Sequence, residues 1–212
     1  MVSSQSFDPT VYGQKRYRVN EFSGARMSSL VRYRIDTRKS LFTVHPFATG
    51  VAAALSHGLN IAIRDFTGEL KFIPGTLQDA SIHMKIKANS LSVNDDMKES
   101  DRREVERTMR EHVLRASEHP EIEFKSAAIK ANMTTENHYR LDVMGYLNLN
   151  GTVRAHSFDA QVVFGSDSLR ANGQFVAKQS DYEIPLISAA GGMIKVRDEI
   201  KFHFYIVALK EA

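Results

Sequence analysis

Between Tyr139 and Lys178 the chain writes three alternating runs in succession, and this stretch restricts the fold more than any other. Tyr139, Leu141, Val143, Gly145, Leu147 and Leu149 share one face, while Arg140, Asp142, Met144, Tyr146 and Asn148 share the other. A period of two is that of a strand with one dry and one wet face. Asn150-Gly151 follows, a pair suited to the positive φ angles of a tight hairpin, and the chain returns through Val153, Ala155, Phe158, Ala160, Val162 and Phe164. The return slips phase once, between Ala155 and Phe158, and a bulge near His156 is expected to restore it. After a turn at Gly165-Ser166-Asp167, Leu169, Ala171, Gly173, Phe175 and Ala177 form a third dry row. Three consecutive antiparallel strands make a meander. Its dry rows mix large residues with Gly and Ala, which suits a small all-β antiparallel barrel that keeps space inside.

The remaining segments extend this pattern. Tyr33 to Asp36 and Ser40 to His45 read as strands flanking a turn at Thr37-Arg38-Lys39. Ala48 to His57, small-sided and ended by Gly58, reads as one or two helical turns. Ile61 to Phe72 reads as two half-strands about Gly68, Ala80 to Ala88 as a half-buried strand, and Ile122 to Ala128 as another, followed by an Asn/Thr loop. One helix is expected: Asp101 with Glu104 resembles a capping box, Val105, Met109, Val113 and Ala116 recur at helical spacing, and Pro120 bars continuation. Its apolar stripe is narrow, so it should lie on the barrel surface or across one end. Ile200, Phe202, Phe204, Ile206 and Ala208 alternate with Lys201, His203 and Tyr205, a last strand expected to pair with an early one and remove the exposed edges.

Composition narrows the function. At 212 residues, 42% hydrophobic and 25% charged, the chain suits one soluble globular domain. Residues 1–30 are expected to be a flexible tail before a barrel domain at 31–212; Met27-Ser28-Ser29 would begin that domain cleanly. The first 26 residues hold no apolar stretch of a secretory signal, from which a cytoplasmic location is expected, export by another route aside. No continuous apolar run reaches the roughly 18 residues of a membrane helix. Lys15, Arg16, Arg18 and Arg26 against Asp8 and Glu21 account for most of the net charge of +3, so the rest of the chain lacks the basic footprint of nucleic-acid binding.

Zero Cys excludes disulfides and thiol chemistry. The eight His, among them His45, His83, His119 and His203, show no metal-ligand spacing, and no cofactor is expected. Ser180-Asp181-Tyr182 lacks a nucleophile-elbow context and a His partner, so it reads as a loop, with Gly191-Gly192 as a turning point. No catalytic residue is put forward, and the chain reads as a binding protein, not an enzyme.

Several short motifs, taken together, resemble the YceI-like family. They are Tyr33-x-Ile35-Asp36 with Ser40, Phe66-x-Gly68, Pro120-x-Ile122-x-Phe124-x-Ser126, Gly145-x-Leu147-x-Leu149-x-Gly151 and Asp198-Glu199-Ile200, in that order over most of Tyr33 to Leu209. The resemblance implies a lipocalin-like barrel of about eight strands with one flanking helix, enclosing a polyisoprenoid or similar lipid. The chain departs from the family at Lys39 and at Val44-His45-Pro46, so the resemblance does not name the ligand. On this reading Phe42, Val44, Ile63, Ile82, Met84, Phe124, Leu141, Val143, Phe158, Phe175, Phe202 and Phe204 line or cap the cavity, core packing being the alternative for each. His57 and Arg64 are placed near a mouth, where Arg64 would pair with an anionic head group or, alternatively, with Asp65. The expected role is a soluble carrier or store for an isoprenoid quinone, a prenyl phosphate or another long apolar ligand, without stable membrane insertion and with room for a homodimer. An enzyme using the same cavity and a filled barrel serving as an interaction module stay open beside it.

Overall fold

The alternating rows become a closed antiparallel barrel in the computed structural model, which describes residues 29–49, 58–74, 77, 79–186, 188–189 and 194–211. Its strands are β1 (Val31–Ile35), β2 (Leu41–Thr49), β3 (Ile61–Ile63), β4 (Phe66–Phe72), β5 (Ser81–Lys87), β6 (Leu91–Val93), β7 (Glu121–Thr135), β8 (His138–Leu149), β9 (Thr152–Phe164), β10 (Ser168–Lys178), β11 (Ser188–Ala189) and β12 (Ile194–Lys210), with helix α1 at Glu99–Thr108. The circuit β1-β4-β5-β7-β8-β9-β10-β12 closes through pairing of β12 with β1. β2 also pairs with β12, β3 with β2, and β6 with β3. Chain order joins β1 to β2, β3 to β4 and β5 to β6, so the barrel has eight strand positions, three of them occupied by bent strands.

Side-chain bonds and backbone bonds between neighbouring bends together satisfy the backbone where the ladder stops. At the first, Ser40 Oγ donates to Asp36 O (2.7 Å) and accepts from Val207 N (3.0 Å). At the second and third, Arg64 N donates to Ser90 O (3.2 Å), Lys87 N to Asp65 O (3.0 Å), and Ser90 Oγ to Lys87 O (2.7 Å). The free edge of β6 is met by α1: Val93 N donates to Glu106 Oε1 (3.0 Å), and Arg102 donates to Asp95 O (3.0 Å).

Several local expectations are corrected. β9 carries no bulge, because its register with β8 is continuous from Leu149–Thr152 to His138–Val163. The phase slip is absorbed by facing: His156 points inward in line with Phe158, and Val153, 56% exposed, faces outward. β7 carries two irregularities instead, between Met133 and Thr135 and between Ser126 and Ala128, at the second of which Ser126 Oγ accepts from Ile82 N (2.9 Å). Inward facing then passes from Phe124 to Ile129 and Ala131, so Ala128 leaves the dry row. The expected Asn/Thr loop is the continuation of β7, which turns at Asn137 with φ +61°.

Ala48 and Thr49 belong to β2, not to a helix, since Val196 and Lys195 of β12 supply strand partners for them. The rest of that segment, His57 included, lies outside the described residues, as do residues 1–28 and Gly191-Gly192. Asp101 is not a helix cap: Lys98 is, with no side-chain cap bond, because α1 starts earlier and places Glu99 and Asp101 in its first turn against the positive dipole end. The helix continues as a π-helical turn at Met109–Val113 and stops before Arg115, at φ +44°, well ahead of Pro120.

The Asn150-Gly151 turn forms as expected, with φ +54° and +79°. Around it, Arg115 Nε donates to Asn150 Oδ1 (3.2 Å) and Asn150 Nδ2 to Tyr182 O (3.2 Å), tying the end of the helical segment through the β8–β9 turn to the segment that follows β10.

Candidate functional site

Inward side chains from almost every strand position surround a cavity of about 630 Å³. One end of the barrel is packed: Tyr33 stacks on Phe72 (5.3 Å between ring centres), Phe72 meets Phe164 (5.2 Å), and Phe164 meets Tyr139 (5.5 Å). Toward the other end the cavity is bordered by Pro46, Leu59, Val196, Ile200 and Ile184, and by Asp101, Glu104, Val105, Thr108 and Met109 of the helical segment. Those last five recur three and four residues apart, so α1 presents one face to the cavity.

The cavity has two kinds of wall. Phe124, Phe158, Phe175, Phe202, Phe204 and Phe42 form a continuous band of rings, in which Phe175 stacks on Phe202 (4.6 Å, 8° between planes) and on Phe158 (5.5 Å, 28°). The opposite wall is aliphatic, with Ile61, Ile63, Leu70, Ile82, Met84, Ile86 and Leu91. Inward glycines let the rings lie flat against the backbone. A Cβ on Gly173 would meet the Phe204 ring and Asp159 O, and one on Gly145 would meet the Phe124 ring and Lys125 O. These glycines are floors beneath rings, not the source of empty space that the sequence suggests.

Of the residues put forward from sequence, Phe42, Val44, Ile63, Ile82, Met84, Phe124, Leu141, Phe158, Phe175, Phe202 and Phe204 border the cavity. Val143 is buried, 1% exposed, but does not border it. Arg64 does not border it either: it donates to Ser92 Oγ (3.0 Å) and Asn94 Oδ1 (3.1 Å), while Asp65 pairs with Lys87 (2.8 Å).

Cavity residues not put forward from sequence include Val105 and Met109, whose spacing is read there only as the apolar stripe of the helix, and His156, whose inward place is hidden by the phase slip. His156 Nε2 is buried without a hydrogen-bond partner among the described residues, and its ring meets Phe175 edge-on at 4.9 Å. Burial pushes the imidazole below its ordinary pKa of 6.5. Here the barrel wall parts: β9 and β10 pair only as far as Asp159–Gln174, although both strands continue.

Elsewhere the polar groups serve structure. Ser180 Oγ donates to Asp198 Oδ2 (2.7 Å) and Ser180 N to Asp198 Oδ1 (2.8 Å), which holds the Asp198 carboxyl below the usual range. Among the described residues no three His, Asp or Glu side chains gather as a metal site, and no helix is long and apolar enough to cross a membrane.

A family model described as YceI-like domain matches residues 33–208. Among solved structures, BcnA of Burkholderia cenocepacia is 19% identical, with a TM-score of 0.64, covering 82% of this chain and 98% of its own. A polyisoprenoid binding domain from Saccharophagus degradans, described as implicated in plant cell wall breakdown, is 11% identical, with a TM-score of 0.59 over 84% and 98%. The Campylobacter jejuni YceI protein is 14% identical, with a TM-score of 0.53 over 72% and 84%. At these identities the structures share the fold. No curated protein matches the sequence.

Proposed function

The chain belongs to the YceI-like family, and on that premise we propose that it binds a polyisoprenoid or a similarly long apolar lipid inside its barrel, as a carrier or store that makes and breaks no bonds. The observation that carries this reading is the cavity of about 630 Å³ with its walls of rings and aliphatic chains. An apolar cavity of about 150 Å³ is enough to take up benzene, so one roughly four times larger has room for several isoprene-sized groups. Each CH₂ withdrawn from water contributes about 0.8 kcal/mol. A few isoprene units therefore gain above about 10 kcal/mol gross, against a cost of several kcal/mol for association and ordering.

The polyisoprenoid binding domain from Saccharophagus degradans supports the ligand class through its shared fold. The reading is tested by native mass spectrometry of protein purified without detergent, then stripped with organic solvent and offered a prenol. The expected result is one lipid per barrel, either co-purified or taken up after stripping. A barrel that emerges empty and takes up no prenol, isoprenoid quinone or fatty acyl chain would overturn it.

A further inference from the structure

The polar groups facing the cavity differ sharply from its apolar walls, and their chemistry restricts what kind of lipid can sit there. Among the described residues bordering it, the charged ones are Asp101 and Glu104 of α1, and none is Lys or Arg. A phosphate or diphosphate head group drawn to this end would approach two carboxylates with no cation of the lining to balance it. Arg64, the cation the sequence puts forward for that task, is engaged by Ser92 and Asn94 away from the cavity.

Within the apolar walls the polar exceptions are His156 and Gln179, and Gln179 is already engaged, its Nε2 donating to Arg197 O (2.8 Å). His156 lies on β9, inward, between the rim and the ring band, with Nε2 buried and unpartnered. A buried polar atom left without a partner is costly, and the rings around it, Phe175 foremost, have no hydrogen bond to offer. Burial disfavours the imidazolium, so at neutral pH the ring is uncharged, with one nitrogen that donates and one that accepts. A neutral imidazole does not replace an Arg or Lys against a phosphate. It matches a carbonyl, which accepts one hydrogen bond, or a hydroxyl, which can also donate one.

We propose that the barrel selects uncharged lipids whose apolar body carries a carbonyl or hydroxyl that hydrogen-bonds to His156, and discriminates against prenyl phosphates. This inference rests on the lipid-binding reading above and narrows it to one chemical class.

The test compares three ligands with the same four-isoprene chain: a menaquinone, the plain hydrocarbon and the diphosphate. Each is titrated against the wild-type protein, His156→Leu and His156→Gln, with far-ultraviolet circular dichroism to verify folding. The expected outcome is that the quinone binds about tenfold more tightly than the hydrocarbon and at least about tenfold more tightly than the diphosphate, the effect of one well-placed hydrogen bond and of an unbalanced anion. His156→Leu should bring quinone and hydrocarbon within about twofold of each other, while His156→Gln, which keeps a donor and an acceptor, restores part of the preference. Equal or tighter binding of the diphosphate would overturn the proposal, as would a folded His156→Leu that loses quinone and hydrocarbon alike. Failure of all three ligands, the hydrocarbon included, would instead overturn the lipid-binding reading on which it rests.

Discussion

From β7 to β12 the main strands of the barrel run 11 to 17 residues, whereas β1 to β6 run three to nine and are bent in three places. The long-strand side is held by the backbone ladder, except where β9 and β10 part, and supplies five of the six rings of the band. The bent side depends on individual side-chain bonds from Ser40, Ser90 and Glu106 and, apart from Phe42 of β2, lines the cavity mainly with aliphatic chains. A band of rings resting on glycines offers a firm surface, while Ile, Leu and Met can shift among rotamers to fit the shape of a ligand. The difference teaches that side-chain bonds can stand in for the ladder where strands bend, while the long strands rely on the ladder and part where β9 and β10 separate beyond Asp159–Gln174.

The sharpest way to break this comparison is to place side chains where the two sides have glycines. Gly145→Val on β8 should cost about 3 kcal/mol, because the new atoms meet the Lys125 carbonyl and the Phe124 ring, neither of which can give way easily. Gly68→Ala on β4 should cost about 1 kcal/mol, because the nearest atom is the flexible end of Ile35. Urea midpoints read both, and equal losses would contradict the contrast. Next in size, Ser40→Ala should cost about 2 kcal/mol by leaving the Val207 amide without its acceptor, with faster hydrogen exchange at Val207 as the local sign. Glu106→Ala should cost about 1.5 kcal/mol and loosen α1 from β6, while Glu106→Gln, which keeps an acceptor for Val93 N, should stay close to wild type.

The smallest effect expected is one of pH. His156 is held below its ordinary pKa of 6.5 by burial, and His45 by burial and the nearby His203. An unfolded imidazole takes up its proton near pH 6.5, while the folded one resists until the pH is lower. The unfolded state therefore binds more protons in that window, and stability falls as pH drops below about 6.5. Thermal midpoints at about pH 7.5 and about pH 5.5 should differ less in His156→Leu than in wild type. An unchanged difference would place the pH dependence outside His156.

The two sides also differ in how far the sequence reveals them. On the long-strand side each residue alternates against continuous neighbours, so the rows of β8, β10 and β12 and the Asn150-Gly151 turn read correctly from period two alone. His156 shows the limit of that logic: a polar residue at an inward position breaks the apolar row, and sequence reasoning assigns the break to a bulge that the continuous β8–β9 register does not contain. The irregularity at Ser126–Ala128 leaves no trace in hydrophobicity, since Ser126 and Ala128 suit either face. On the bent side, strands of three residues such as β3 and β6 are too short to show a period, and their partners come from distant segments. Arg64 looked like a head-group ligand because its bonds to Ser92 and Asn94 span about thirty residues of chain, beyond any local pattern.

The absence of Trp makes the cavity directly observable. Phe175→Trp places a single tryptophan, excited selectively at the red edge of the aromatic absorption, in the ring band, and Tyr146→Trp places a control on the outer face, where Tyr146 is 55% exposed. Titrated with an isoprenoid quinone, the Phe175→Trp protein should lose its emission saturably, at one quinone per barrel, and regain it when a prenol competes, while the Tyr146→Trp protein stays constant. Unchanged Phe175→Trp emission in a correctly folded barrel, or equal quenching of the two, would contradict a ligand enclosed within the barrel.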